Sequence, residues 1–239
     1  MKVYLQACLW IVVALWSIFP ARAYDFQVGG IYYNLNGEEV TVTYGSDKYS
    51  SSYSGDVVIP ASVTYEGKTY SVTSIGDGAF YSCGGLTSII IPESVTSIGD
   101  EAFSYCSGLT SVTISESVTS IGDETFFWCI GLISVTIPAS VERLGPGVFS
   151  GCTNLEEIIV SADNPVYSSL DGVLYNKDKT ELVKWPDKKL SVTILESVTS
   201  IGDWAFYYCS GLTSITIPES VTSIGDLAFK GCIGLTSII

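Results

Sequence analysis

From Val72 onward the apolar positions recur with a period of 23 residues. With Val72 as position 1, further copies begin at Val95, Val118 and Val141, and after a longer gap at Val198 and Val221. Position 4 holds Ile75, Ile98, Ile121, Leu144, Ile201 and Ile224, and position 9 holds Phe80, Phe103, Phe126, Phe149, Phe206 and Phe229. Position 15 is Leu86, Leu109, Leu132, Leu155, Leu212 or Leu235. Positions 18 and 20 are apolar with polar neighbours, as in Ile215-Thr216-Ile217, the alternation of a strand with one buried face. Such self-similarity predicts stacked units, each unable to bury its apolar face alone. Gly-Asp at positions 5 and 6 precedes the Phe, and Asp is a favoured helix N-cap, so a short helical turn is expected to carry the Phe inward. Each coil therefore reads as one strand, an extended return segment and a short helical turn.

Position 12 is cysteine in all six copies: Cys83, Cys106, Cys129, Cys152, Cys209 and Cys232. A ladder of 23-residue spacing lacks the short local spacings of a zinc site. Side chains in one column point in parallel, whereas a disulfide draws two Cβ atoms to about 3.8 Å, so bridges between adjacent coils are disfavoured. A buried thiol acting as a small apolar filler fits the column best.

The stretch Leu86–Cys106 has the form L-x-x-I-x-I-P-x-S-V-x-x-I-G-x-x-A-F-x-x-C. It resembles the BspA-like class of bacterial leucine-rich repeats, and the likeness extends over about residues 57–239. Departures are local: Ser115 and Leu195 replace the Pro, and Pro146 replaces the Asp. The resemblance implies a leucine-rich-repeat solenoid, α/β by class and dominated by strands. It also implies a surface protein of mucosal bacteria that binds host matrix or cell-surface proteins.

Two regions break the frame. In residues 24–71, Ile31–Leu35 and Val40–Tyr44 flank Asn36-Gly37, a hairpin signal, and a second hairpin is expected at Glu66-Gly67. This segment reads as an N-terminal cap with a degenerate first coil, preceding coils at 72–160. In residues 161–190, Gly172–Asn176 and Glu181–Trp185 flank Lys177–Thr180, which reads as a protruding hairpin before the coils of 191–239. Five lysines fall here: Lys177, Lys179, Lys184, Lys188 and Lys189. They are either a basic contact site or protection of an exposed strand edge.

Lys2, an apolar run from Leu9 to Phe19, and Ala21-Arg22-Ala23 have the layout of a signal peptide spanning residues 1–23. The run is short for a membrane span, and no other long apolar run follows. Export to the cell surface or medium is the expectation. Cleavage after Ala23 leaves nine basic against 25 acidic residues, a net of −16, which disfavours nucleic acid as a partner. There is no histidine, so the commonest general base and metal ligand are missing. Acidic columns at positions 6 and 22 suit capping and solubility more than calcium. No cofactor, metal or catalytic residue is expected, and a hydrolase with paired carboxylates is disfavoured because the acids repeat in columns.

Tyr81, Tyr105, Phe127, Trp128, Trp204, Tyr207 and Tyr208 gather at positions 7, 10 and 11. They read as a stripe on the outside of the turns, either a recognition surface or rings lying flat over the backbone. With Lys177, Lys179 and Lys184 they are the candidate partner contacts. The expected function is a non-enzymatic protein-binding or adhesion module, the alternative a carbohydrate-binding accessory protein using the stripe. The sixth copy stops at Ile239, position 19 of 23, so a missing C-terminal part and self-association through that end are also expected.

Overall fold

The computed structural model describes residues 23–49, 52–190 and 192–239. The signal-peptide expectation therefore lies, but for Ala23, outside the described residues. The chain opens with an antiparallel meander of Phe26–Val28, Ile31–Asn36 and Glu39–Thr43, the last two joined by a tight turn in which Gly37 takes φ 68°. Glu66 and Gly67 both adopt positive φ in the turn between Ser62–Tyr65 and Lys68–Ile75. Glu39–Thr43 pairs in parallel with Lys68–Ile75, Val42 opposite Ile75, so the meander supplies the first rung of the coil stack.

Two rows of parallel pairs then run along the axis. One row takes positions 3 and 4, pairing Ser74-Ile75, Ser97-Ile98, Ser120-Ile121 and Arg143-Leu144 in constant register. The other takes the L-x-x-I-x-I segments, pairing Ser54–Val58 with Gly85–Ile90 and then Ser111–Thr113, Ser134–Ile137 with Glu157–Val160, and Ser214-Ile215 with Ser237-Ile238. The return segment is thus itself a second short strand in each regular coil. Between the rows the position-9 rings stack nearly parallel: Phe80 on Phe103 at 5.0 Å, Phe103 on Phe126 at 5.3 Å, and Phe126 on Phe149 at 5.7 Å. Tyr53 closes this column at its start, 4.4 Å from Phe80.

The expected helical turn is not present, because the described residues contain no helix. Positions 7 and 11 are left-handed in every regular coil, for example Glu101 (φ 53°) and Tyr105 (φ 61°), Glu124 (51°) and Trp128 (56°), or Gly147 (68°) and Gly151 (76°). A helix would direct all its N–H groups back along its own segment. Here the alternation turns every second one toward the next coil: Glu101 N–H donates to Asp123 C=O, Phe103 to Thr125, and Tyr105 to Phe127, at 2.7–2.8 Å. On the other sides of the same coil, Thr96, Gly99 and Thr110 donate back to Thr73, Ile75 and Thr87. Left-handed backbone at Glu, Tyr or Trp costs about 1–2 kcal/mol per residue, and a hydrogen bond contributes about 1 kcal/mol net while leaving an N–H buried and unpaired costs more. The inter-coil bonds decide the conformation.

The six repeat cysteines are free thiols pointing down the column. They do more than fill space. Cys106, Cys129 and Cys152 each donate S–H to the carbonyl of the Phe in the preceding coil, at 3.0–3.1 Å. Burial pushes all three thiols well above their ordinary pKa, so they are poor nucleophiles.

The insert joins the stack. Tyr167–Leu170, Val173–Asn176 and Glu181–Lys184 form an antiparallel set, and Glu181-Leu182 pairs in parallel with Ser200-Ile201 as a rung of the first row. Asn164 anchors its start: the amide nitrogen donates to the carbonyls of Pro138 and Val141, and the amide oxygen accepts from Val166 and Tyr167 N–H. Trp185 stands in the ring column, 5.6 Å from Phe206, and its N–H donates to Ala205 C=O as a position-9 residue does. The core divides here into two clusters, one extending to Leu174 and the other beginning at Val173.

Candidate functional site

All seven candidate aromatics fall in one ring network. Tyr81 meets Tyr105 at 5.5 Å, Tyr105 meets Phe127 at 5.5 Å, and Phe127 meets Trp204 and Tyr207 at about 6 Å. Trp128 meets Tyr208 at 5.1 Å. The fourth coil makes this continuity possible, because it carries Gly147, Ser150 and Gly151 where its neighbours carry larger side chains. A Cβ on Gly151 would stand 3.0 Å from the Trp128 indole, and one on Gly147 would stand 3.6 Å from that of Trp204. Rings from the third and fifth copies therefore lean across it and touch. Edge-to-face pairs of this kind contribute about 0.5–1.5 kcal/mol each beyond burial.

The network is less exposed than a free-standing stripe. Tyr105 is 41% exposed, but Phe127 and Tyr207 are only 8% and 5% exposed. The rings lie along the axis and shield one another. Tyr49 extends the network 5.2 Å beyond Tyr81, and Lys48 sits over the Tyr81 ring while pairing with Glu101 at 3.0 Å. Sequence reading missed both residues, which lie outside the repeat frame. The border is acidic: burial, then Glu101 and Asp123, raise the Glu124 pKa. Burial, then neighbouring phenols and carboxylates, also raise the Tyr81 and Tyr207 pKa values.

The lysines do not form a patch with these rings. Lys184 is buried and its ammonium pairs with the buried carboxylate of Asp187 at 2.6 Å, which corrects its expected place on the surface. The cause is its chain position: it stands just before Trp185 in the ring column, so its side chain enters the core. Asp187 also accepts from the Cys209 thiol at 3.6 Å, replacing the carbonyl that other cysteines use. The Asp187 carboxylate holds Lys184 protonated, while burial raises the pKa of Asp187 itself. Lys177 is exposed, yet its ammonium is held by the carbonyls of Ala162 and Asn164. Lys179 occupies the hairpin turn with φ 55°. Among the described residues, no group of three Cys, Asp or Glu side chains is placed to hold a metal ion, and no helix is long and apolar enough to cross a membrane.

The sequence pattern of the family described as BspA type leucine rich repeat region matches residues 73–188 and 187–239, with six copies. A search of curated proteins returned no match. Among solved structures, the pneumococcal vaccine antigen PcpA aligns over 89% of this chain and 69% of its own, with TM-score 0.61 and 22% identity, a likeness of fold. A leucine-rich-repeat protein from Eubacterium ventriosum aligns over 88% and 70%, with TM-score 0.60 and 26% identity. One from Bacteroides ovatus aligns over 90% and 64%, with TM-score 0.52 and 27% identity.

Proposed function

We propose, from the premise that this chain belongs to the BspA-type leucine-rich-repeat family, that it is an exported, non-enzymatic adhesion module that binds a protein ligand at the bacterial surface. The observation that carries this reading is the ring network running from Tyr49 to Tyr208 along one side of a stack whose backbone is hydrogen-bonded coil to coil. Half-exposed tyrosines offer large contact area at low entropic cost, and a rigid scaffold fixes their spacing. Acidic neighbours and a formal net charge of −14 favour a ligand with basic residues near its own apolar contact, such as a host matrix or cell-surface protein. Surface display is supported by the signal-peptide layout of residues 1–23 and by PcpA, a vaccine antigen of the same fold. The absence of histidine from the sequence supports a non-enzymatic role.

The test is adhesion to a panel of immobilised matrix and cell-surface proteins by the purified chain and by a Tyr81→Ala/Tyr105→Ala variant. Binding should weaken by about tenfold or more, as for loss of interface aromatics, measured at a temperature where circular dichroism shows both proteins folded, since the lost ring contacts also lower the melting temperature. Equal adhesion by variant and parent overturns the assignment to this stripe.

A further inference from the structure

In the coils from Val72, Val95, Val118 and Val141, position 7 holds Gly78, Glu101, Glu124 and Gly147. Each glutamate therefore has the other on one side and a glycine on the other. Both glycines are left-handed, φ 59° and 68°, and the side chain each lacks leaves a slot beside its glutamate. The first slot is filled by a lysine of the chain itself. A Cβ on Gly78 would strike the Lys48 methylenes, whose ammonium pairs with Glu101 at 3.0 Å and lies over the Tyr81 ring at 5.4 Å. At Gly147 the slot is closed by the Trp204 indole instead. Glu124 Cγ and that indole stand 3.2 Å and 3.6 Å from where a Gly147 Cβ would be, and Phe127 meets both Trp204 and Tyr105. Carboxylate and rings are thus assembled again, yet among the described residues no ion pair or hydrogen bond reaches the Glu124 carboxylate.

The carboxylates next to Glu124 each have a cation: Lys48 pairs with Glu101, and Arg143 with Asp123 at 3.1 Å. Glu124 has none, although burial and those two neighbours disfavour its charge. A carboxylate partly withdrawn from water and left unpaired costs free energy that an added cation recovers. An ammonium group set against both a carboxylate and a ring is attracted by each. The far end of the stripe takes a lysine too, Lys230 lying over the Tyr207 ring at 5.6 Å. Glu124 stands between these two lysines along the stack and pairs with neither. Glu124 and Trp204 both keep part of their surface exposed, so a side chain reaches them from solvent. An anion would be repelled by the three carboxylates, and an apolar side chain would cover Glu124 without pairing it.

We propose that Glu124, with the Trp204 and Tyr105 rings beside it, is the cation subsite of the ring stripe and takes the ammonium group of a lysine on the protein ligand, as Glu101 takes that of Lys48. This rests on the stripe being the ligand-binding face. The test is titration of the purified chain with the peptide acetyl-Leu-Lys-Leu-amide and with its norleucine counterpart, followed by tryptophan fluorescence. Saturable millimolar binding of the lysine peptide is expected, with the norleucine peptide about tenfold weaker. Glu124→Gln should weaken the lysine peptide about tenfold, whereas Glu219→Gln, which removes the same charge from the exposed position 22 of the fifth copy, should leave it unchanged. Removing the Glu124 charge relieves its repulsion by Glu101 and Asp123, so weakening there is not a loss of fold. The proposal is overturned by no saturable binding, by equal binding of the two peptides, by binding that Glu124→Gln retains, or by equal weakening in Glu219→Gln. The two readings fail separately. Adhesion lost in Tyr81→Ala/Tyr105→Ala but kept in Glu124→Gln overturns the subsite alone, and peptide binding without adhesion to any panel protein overturns the adhesion role alone.

Discussion

Glu124 shows how much a single side chain carries in this fold. It sits at a left-handed turn position, φ 51°, with Glu101 and Asp123 close by. Burial first, and those two carboxylates second, raise its pKa in the folded state. A carboxyl whose folded pKa lies above its unfolded one favours folding when protonated, and that contribution is lost as pH rises through the folded value. Glu124→Gln should therefore be more stable than the parent at neutral pH and equal to it in acid below the ordinary glutamate range. Urea unfolding at the two pH values checks this, and a difference independent of pH would refute the electrostatic cause. At this scale the columns were legible in the sequence, because Val, Ile, Phe, Leu and Cys recur with the stacking that uses them. Lys184 was not, since a lysine near other lysines reads as surface and only its place beside Trp185 sends it inward.

At the scale of the element, the turn was the part that the sequence misrepresented. Gly-Asp before the Phe has the chemistry of a helix start, yet no helix forms. The Asp side chain instead serves the next coil, as Asp77 accepts from Asp100 N–H and Asp100 from Asp123 N–H. Local propensity lost to hydrogen bonds between residues 22 apart in sequence, such as Gly78 with Asp100. The short rung of the insert, three steps from Leu182 to Trp185 against five from Ile98 to Phe103, was illegible for the same reason: it is evident only once its two ends are seen in register, Leu182 opposite Ile201 and Trp185 backbone N–H on Ala205 C=O. The insert also carries a buried ion pair, whose Asp187 carboxylate takes the place of the carbonyl that accepts from the next cysteine. Lys184→Ala should cost about 3–5 kcal/mol because it strands the Asp187 carboxylate, whereas Lys184→Met with Asp187→Leu should be near neutral. Denaturant midpoints of the single and double variants decide between a needed charge pair and a replaceable one.

For the whole molecule, stability is held between neighbours along the stack, and the core divides at Val173–Leu174. Phe103→Ala removes a ring stacked on both sides, a loss of about 3–5 kcal/mol. Hydrogen exchange should quicken first around residues 80–126, with the coils beyond Val198 keeping their protection. Uniform loss along the chain would instead mark one global cooperative unit. The opposed hydrogen bonds of each coil have a further effect. In the coil from Val95, three amides outside the strands donate forward to carbonyls of the next coil, and four donate backward, three to carbonyls and that of Asp100 to the Asp77 carboxylate. A helix aligns its peptide dipoles and acquires charged ends, whereas here one side of the coil cancels the other. The axis carries little net polarisation from its backbone, so copies can be added to or removed from such an array without building up a potential between its ends.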